Sequence, residues 1–355
     1  MPEPRDAHAP TWPDLTTRLI AGADLEAGEA AWAMDEVMSA AASPVALAGF
    51  LVALRAKGET VAELGGLADA MLAHAVSIDV PGPAVDIVGT GGDRAFTVNI
   101  STMSAIAIAA AGVRVVKHGN RASSSRSGSA DVLEALGVNL TLPVREVEAV
   151  AREVGIAFLF AQVFHPSMRH AAVARRELGV ATVFNFLGPL TNPARPRGVA
   201  IGCADRRMAP IMAGVLAARG QRGLVFRGES DGLDELAATG PSRIWEIRDG
   251  EVMEQLLDGG EVLGLDRISV GDLRGGDAPT NADVARGVFA GQEGPVRQTV
   301  LFNAAAGIVA EGNHPGLPDG DLAARLRAGI VLAADAIDSG AAADLLDRWR
   351  RATAR

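Results

Sequence analysis

Ala84-Val-Asp-Ile-Val-Gly-Thr-Gly-Gly-Asp93 decides how this chain is read. An apolar run broken by a single aspartate stops at three closely spaced glycines, as a short buried strand does. Thr97-Val-Asn-Ile-Ser-Thr102 follows and leads into a helical pattern from about Ser101 to Ala111. The same alternation then recurs. Val113–Val116 reads as a strand, a polar loop follows, and Ala130–Leu136 reads as a helix stopped by Gly137. Gly198–Cys203 and Gly223–Phe226 are further strands around a helix at Ala209–Arg219. Ile244–Ile247 and Val252–Gln255 flank Asp249-Gly250, a hairpin signal. Helices resume from Asn281. Strand, loop and helix at this period predict an α/β fold with a mainly parallel central sheet.

Upstream of Pro81 the pattern is helical throughout. Leu15–Ile20, Leu25–Met38, Val45–Lys57 and Val61–Ala75 carry apolar residues at three-and-four spacing. Ser43 with Pro44, and Thr60 with Glu63, are helix-start signals, and Gly58 is a stop. The segment from His165 to Pro196 interrupts the strand–helix alternation and is rich in turn formers.

Composition narrows the function classes. The chain has 355 residues and a formal net charge of -10, which argues against a nucleic-acid binder with its basic face. Cys203 is the single cysteine, so a disulfide framework and cysteine-rich zinc sites are excluded. No apolar stretch approaches the roughly 20 residues of a membrane span, and no secretion signal opens the chain. A cytoplasmic protein with no membrane partner is expected. Of 33 lysines and arginines, only Lys57 and Lys117 are lysine. A lysine retained in such a background suggests a place where a compact ammonium is needed.

Three loops carry polar groups suited to chemistry at the carboxyl ends of a parallel sheet. Gly89-Thr-Gly-Gly-Asp93 is neither the dinucleotide fingerprint, since position 94 is Arg94, nor a P-loop. It offers backbone that approaches a ligand closely, then hydroxyls and amides at a helix start, a combination for phosphate or diphosphate. Lys117-His-Gly-Asn-Arg-Ala-Ser-Ser-Ser125 adds a point charge and neutral donors, and Ser129 reads as a helix N-cap. In Gly228-Glu-Ser-Asp-Gly-Leu-Asp-Glu235 the neighbouring carboxylates Asp234 and Glu235 repel unless a cation such as Mg²⁺ joins them. The histidines lack zinc spacing, and Gly-x-Ser-x-Gly is absent.

These words resemble the anthranilate phosphoribosyltransferase family: Gly89–Asp93, Asn99-Ile-Ser-Thr102, Lys117–Arg121, Gly128–Gly137, Phe184-Asn-Phe-Leu-Gly-Pro-Leu-Thr-Asn-Pro193 and Asp231–Glu235, in family order. The resemblance implies a small α-helical domain, residues 1–80 with about 170–195, through which a homodimer pairs. It implies a larger α/β domain over 81–169 and 196–355. It also implies a reaction, transfer of phosphoribosyl from phosphoribosyl diphosphate to the amine of anthranilate, with Mg²⁺ and two ions expected. Gly89, Gly92, Asp93, Thr97, Asn99, Ile100, Ser101, Thr102, Lys117, Ser125 and Ser129 match positions for phosphoribosyl diphosphate. Gly89, Asn120 and Arg175 match anthranilate positions, and Ser101, Asp234 and Glu235 match metal ligands. No residue matches a general acid or base. Arg94, Ala181 and Arg227 depart from the usual glycine, arginine and histidine. A related phosphoribosyltransferase or nucleoside phosphorylase, acting on a nucleobase or a substituted anthranilate, is the alternative activity.

Overall fold

The computed structural model describes residues 9–122 and 126–354. The chain forms two compact units, one running to Ala75 with His165–Leu187, the other Val76–Phe164 with the chain from Gly188 onward. Residues 188–195 thus cluster with the second unit.

The first unit is helical: α1 (Trp12–Ile20), α2 (Ala27–Met38), α3 (Pro44–Lys57) and α4 (Val61–Ala73), followed after the chain's return by a helix at Ala172–Leu178. Its ends are made as the sequence indicates. The Ser43 hydroxyl accepts the Ala46 N–H with Pro44 at the first helical position. Thr60 and Glu63 form a reciprocal capping box, and Gly58 leaves the helix at φ 99°. Leu15, Leu19, Met34, Phe50, Leu54 and Leu64 are its buried centre. α2 begins later than its apolar pattern because Glu26 stays extended and forms a capping box with Glu29.

The second unit holds one seven-stranded sheet in the order β3-β2-β1-β4-β5-β6-β7. The strands are β1 (Val85–Gly89), β2 (Val115–Gly119), β3 (Ile156–Phe160), β4 (Gly198–Gly202), β5 (Arg222–Gly228), β6 (Pro241–Arg248) and β7 (Glu251–Asp258). β1 to β5 run parallel, and β6 and β7 close one edge antiparallel through the Asp249-Gly250 turn. The parallel strands are buried on both faces and mostly apolar, as helix-covered strands are, with Asp86, Lys117 and His118 as buried polar exceptions. Helices α5 (Ile100–Ala110), α6 (Ser129–Ala135) and α7 (Val144–Val154) follow β1 and β2 in sequence, and four longer helices after Asp277 complete the cover.

Three differences from the sequence reading have physical causes. β2 lies two to three residues beyond the expected Val113–Val116, because Gly112 at φ 94° turns the chain and leaves Val113 and Arg114 outside the ladder. α7 and β3 come from an amphipathic helix running straight into an apolar pentapeptide, with only Gly155 at φ 86° between them. Ser129 is the first residue of α6 and not its cap. The position before it is Gly128, whose N–H is taken by the Asp131 carboxylate at 2.8 Å.

Strand order reverses direction at β1, from which the chain builds outward to β2 and β3 before returning to β4 on the other side. The crevice at the carboxyl ends of β1 and β4 is where such sheets bind ligands.

Candidate active site

The last residues of β1 and β4 are Gly89 and Gly202, partners in register. Both sit under the Asp234-Glu235 turn. A Cβ on Gly89 would lie 2.4 Å from Oδ2 of Asp234, and one on Gly202 would lie 1.6 Å from the Asp234 carbonyl oxygen. Only glycine lets the turn settle onto the strand ends. Gly91 and Gly92 serve a different need, holding φ at 68° and 89° so that the loop folds over. The Gly91 N–H then donates to Asp234 Oδ2 at 2.6 Å.

The turn is clamped from behind by Asn303, fully buried in the helix Pro295–Glu311. Its amide accepts the Leu236 N–H at 3.0 Å and donates to the Leu236 carbonyl at 2.8 Å. Asp234 and Glu235 are consequently buried side by side. Burial first, then the neighbouring Asp93, lifts Asp234 above the usual carboxylate range. Burial first, then Asp234, lifts Glu235 well above its usual range, although Lys117 and the Ser101 N–H pull it down. Asp93 Oδ1 accepts the Ala95 N–H, while its buried Oδ2 finds no donor among the described residues.

Carboxylates gathered this way fit a divalent cation, which removes the repulsion and the desolvation cost together. Among the described residues no three His, Cys, Asp or Glu side chains close into a complete cage. That suits magnesium, which takes one or two carboxylates and fills its other positions with water and phosphate oxygens.

Lys117 reaches the same place from β2 and is almost wholly buried. Its ammonium donates to the Ile87 carbonyl and, at 3.2 Å, to the Ser101 hydroxyl at the start of α5. No carboxylate touches it among the described residues, and burial lowers its pKa against the pull of Asp86 and Glu235. A cation without a contacting anion, beside a glycine loop and a helix N-terminus, is the electrostatic form of a phosphate site.

Gly89, Asp93, Ser101, Lys117, Asp234 and Glu235 are therefore brought together. Asn99 caps α5 in position, its side chain donating to the Ser127 carbonyl at 3.1 Å and accepting from Asn281 at 2.8 Å. Thr97 bridges to Arg274. Ile100 and Thr102 point into the core, and the Thr102 hydroxyl has no partner among the described residues. Asn120 is exposed, its side-chain oxygen accepting the Arg121 N–H. Ser125 lies outside the described residues. Arg175, in the helical unit, lays its guanidinium over the Phe184 ring, 5.2 Å from the centroid. Asn303, Asn281, Asp86 and Asn192 were not singled out from the sequence, where an amide or carboxylate gives no sign of a partner tens of residues away. Of the departures, Arg94 occupies a left-handed conformation at φ 60°, the kind of position glycine fills without strain.

Two family models match the chain in the order of its units: the glycosyl transferase family helical bundle domain over residues 13–75, and the glycosyl transferase family a/b domain over residues 81–343. Together they define a class of two-part glycosyl transferases. Anthranilate phosphoribosyltransferase of Arthrobacter sp. (strain FB24) is 61% identical over 339 residues, covering 96% of this chain and 95% of its own. The crystal structure of anthranilate phosphoribosyltransferase from Thermus thermophilus superposes with a TM-score of 0.88 at 44% identity, over 96% of this chain and 100% of that one. The Saccharomyces cerevisiae enzyme, in complex with PRPP and Mg, superposes with a TM-score of 0.85 at 26% identity, over 97% and 98%. The chain belongs to the anthranilate phosphoribosyltransferase family.

Proposed function

We infer that the chain transfers the 5-phosphoribosyl group from phosphoribosyl diphosphate to the amine of anthranilate, releasing diphosphate, as a step of tryptophan biosynthesis. One observation carries the reading: the Asp234-Glu235 turn, seated on Gly89 and Gly202, faces the glycine loop and a buried lysine with no contacting anion among the described residues.

The reaction breaks the bond from the anomeric carbon to diphosphate, forms a bond from that carbon to nitrogen, and sheds one amine proton. Positive charge develops on the sugar and negative charge on the leaving oxygen. An aromatic amine is neutral at pH 7 and needs no prior deprotonation, so alignment and charge neutralisation dominate. The Gly89–Asp93 loop and the N-terminus of α5 hold the diphosphate, Lys117 holds a phosphate oxygen, and Ser101 with Asp234 and Glu235 holds magnesium, in two ions. Bound magnesium supplies Lewis-acid stabilisation of the leaving group and a template for its oxygens. Asn120 and Arg175 orient anthranilate, the arginine through its carboxylate.

The same reading makes the chain a cytoplasmic homodimer paired through the helical unit. Ile20 and Val52, 75% and 46% exposed, line an apolar groove of about 680 Å³ between α1 and α3, and Val45 is 83% exposed. The test of function is the decay of anthranilate fluorescence with phosphoribosyl diphosphate. Decay that requires Mg²⁺ supports the assignment. No decay with anthranilate, beside turnover of adenine, uracil or a substituted anthranilate, overturns it.

A further inference from the structure

β1 and β4 pair along five residues, and so do β2 and β3, yet β1 and β2 share only the pair Val85–Val115. Beyond that pair these two interior strands part, and side chains take over the bonds a ladder would make. The His118 N–H donates to Asp86 Oδ1 at 3.2 Å. The Asn192 amide donates both to Asp86 Oδ2 at 2.8 Å and to the Val116 carbonyl at 2.7 Å. Lys117 donates to the Ile87 carbonyl on the opposite strand. Asp86 is fully buried and Asn192 nearly so. Asn192 is itself locked, because its side-chain oxygen accepts the Ala194 N–H at 2.9 Å.

Separating two parallel strands at the middle of a sheet forfeits backbone hydrogen bonds and buries a carboxylate, which costs stability unless every group is satisfied. Here the Val116 carbonyl, the His118 N–H and the Ile87 carbonyl each find a side-chain partner. The separation lies just before Gly89 and Gly119, where the two phosphate-type loops leave the sheet. With a flush ladder, the Lys117 side chain and the Gly89–Asp93 loop would sit one strand spacing apart. Where the strands part, the Lys117 ammonium reaches across to the Ile87 carbonyl of β1.

We propose that Asp86 and Asn192 are positioning residues for phosphoribosyl diphosphate, a hydrogen-bonded wedge between β1 and β2 that holds Lys117 in register with the Gly89–Asp93 loop. The proposal rests on Lys117 binding a phosphate oxygen in the reaction above. Burial lifts the Asp86 carboxyl to about 6 against the pull of Lys117, Asn192 and the backbone. A carboxylate kept in place against burial is consistent with a positioning task.

The test compares Asp86→Asn, Asn192→Ala, Lys117→Ala and the double variant Asp86→Asn/Lys117→Ala in the full chain, with Val147→Ala in α7 as a core control. Michaelis constants for both substrates, turnover and melting temperature are measured for each. Asp86→Asn and Asn192→Ala are expected to raise KM for phosphoribosyl diphosphate about 10- to 100-fold, the scale of a misplaced binding group. KM for anthranilate stays within about 3-fold, since none of the wedge's hydrogen bonds goes to Asn120 or Arg175. Val147→Ala lowers the melting temperature and moves neither constant. In the Lys117→Ala background Asp86→Asn adds little, because a group acting through another loses its effect when that other is gone.

Should Lys117→Ala raise KM for phosphoribosyl diphosphate while the wedge variants match Val147→Ala, the wedge is structural only and the proposal fails with the lysine's role intact. Additive effects in the double variant overturn it equally. If Lys117→Ala itself leaves phosphoribosyl diphosphate unaffected, the phosphate role of the lysine falls and the proposal with it. Asp86→Asn preserves shape and one acceptor, so it decides the matter even if Asn192→Ala does not fold.

Discussion

The side chains of this chain's two lysines are both buried, and they live in opposite electrostatic worlds. Lys57, at the end of α3, meets Asp24 at 2.7 Å and Glu63 at 2.9 Å. Burial lowers its pKa, and those two carboxylates more than offset the loss, leaving it above its ordinary value. Lys117 has a carbonyl and a hydroxyl for company, and burial wins. A structural cation is given its anions by the fold. A binding cation is given everything except the anion, which the ligand brings. Arg175 in the helical unit belongs with Lys117, having an aromatic ring beneath it and no ion pair among the described residues. The acidic turn is the mirror case, two buried carboxyl groups side by side with no ion pair to a basic side chain among the described residues.

The mirror case yields the largest effect. Replacing Asp234 and Glu235 with Asn and Gln should lower turnover at least about 100-fold, the loss of a Lewis acid worth several kcal/mol. The same variant should melt higher than the parent in metal-free buffer, because it removes buried acids that must either take up protons on folding or face each other as like charges. In the parent, acids with raised folded pKa values hold protons that the unfolded chain has already shed. Metal-free stability should therefore fall as pH rises through neutrality, and Mg²⁺ should reverse the trend. Calorimetric melting across pH, with and without Mg²⁺, checks both signs. Near-normal turnover of the variant at low Mg²⁺ would break the comparison.

Exchanging the two lysines' fates comes next. Lys57→Met should cost roughly 1–3 kcal/mol by taking the cation from the buried Glu63 carboxylate, which keeps its bonds from Leu25 and Thr60, with both Michaelis constants unchanged. Lys117→Met should hold or gain stability and lose affinity for phosphoribosyl diphosphate, and Lys117→Arg should rescue little because its planar fork is bulkier. Urea unfolding beside steady-state kinetics separates them. Equal stability losses for the two would erase the distinction drawn here.

Arg175→Ala should raise KM for anthranilate by about 10- to 150-fold, the roughly 1.5–3 kcal/mol of a charge-assisted carboxylate contact. Arg176→Ala, at the next residue, should change neither constant. The reverse outcome would put the carboxylate partner one residue along the helix. The smallest effect tests backbone rather than charge: Arg94→Gly removes a left-handed arginine that costs about 1–2 kcal/mol and adds glycine's greater unfolded-state freedom. A net gain of at most about 1 kcal/mol is expected, read from the melting temperature.

How much of this was legible in the sequence divides along similar lines. The loops were, because Gly89–Asp93, Lys117 and Asp234-Glu235 carry their chemistry in residue type and local order. The helix caps at Ser43 and Thr60 were too, since a cap is a contact three residues long. β3 was not, because a strand that starts one glycine after a helix has no turn signal before it. Asp86 read as a blemish in an apolar run, and Asn192 and Asn303 as ordinary loop and helix residues. Their partners lie 106 and 67 positions away, and only the assembled sheet brings those groups together. The reason for Gly202 was hidden in the same way, since nothing near it in the chain reveals the carbonyl pressed against it.

The burial of both lysines has a consequence for the chemistry of the surface. No lysine falls outside the described residues, so of its basic Lys and Arg side chains the folded chain exposes guanidinium groups and no lysine ammonium. An amine-reactive ester or an acetyl donor therefore meets no exposed lysine unless a core opens. Lys57 becomes a reporter of the helical unit and Lys117 of the α/β unit, one chemical clock for each. Mass spectrometry of timed labelling would read which unit opens first.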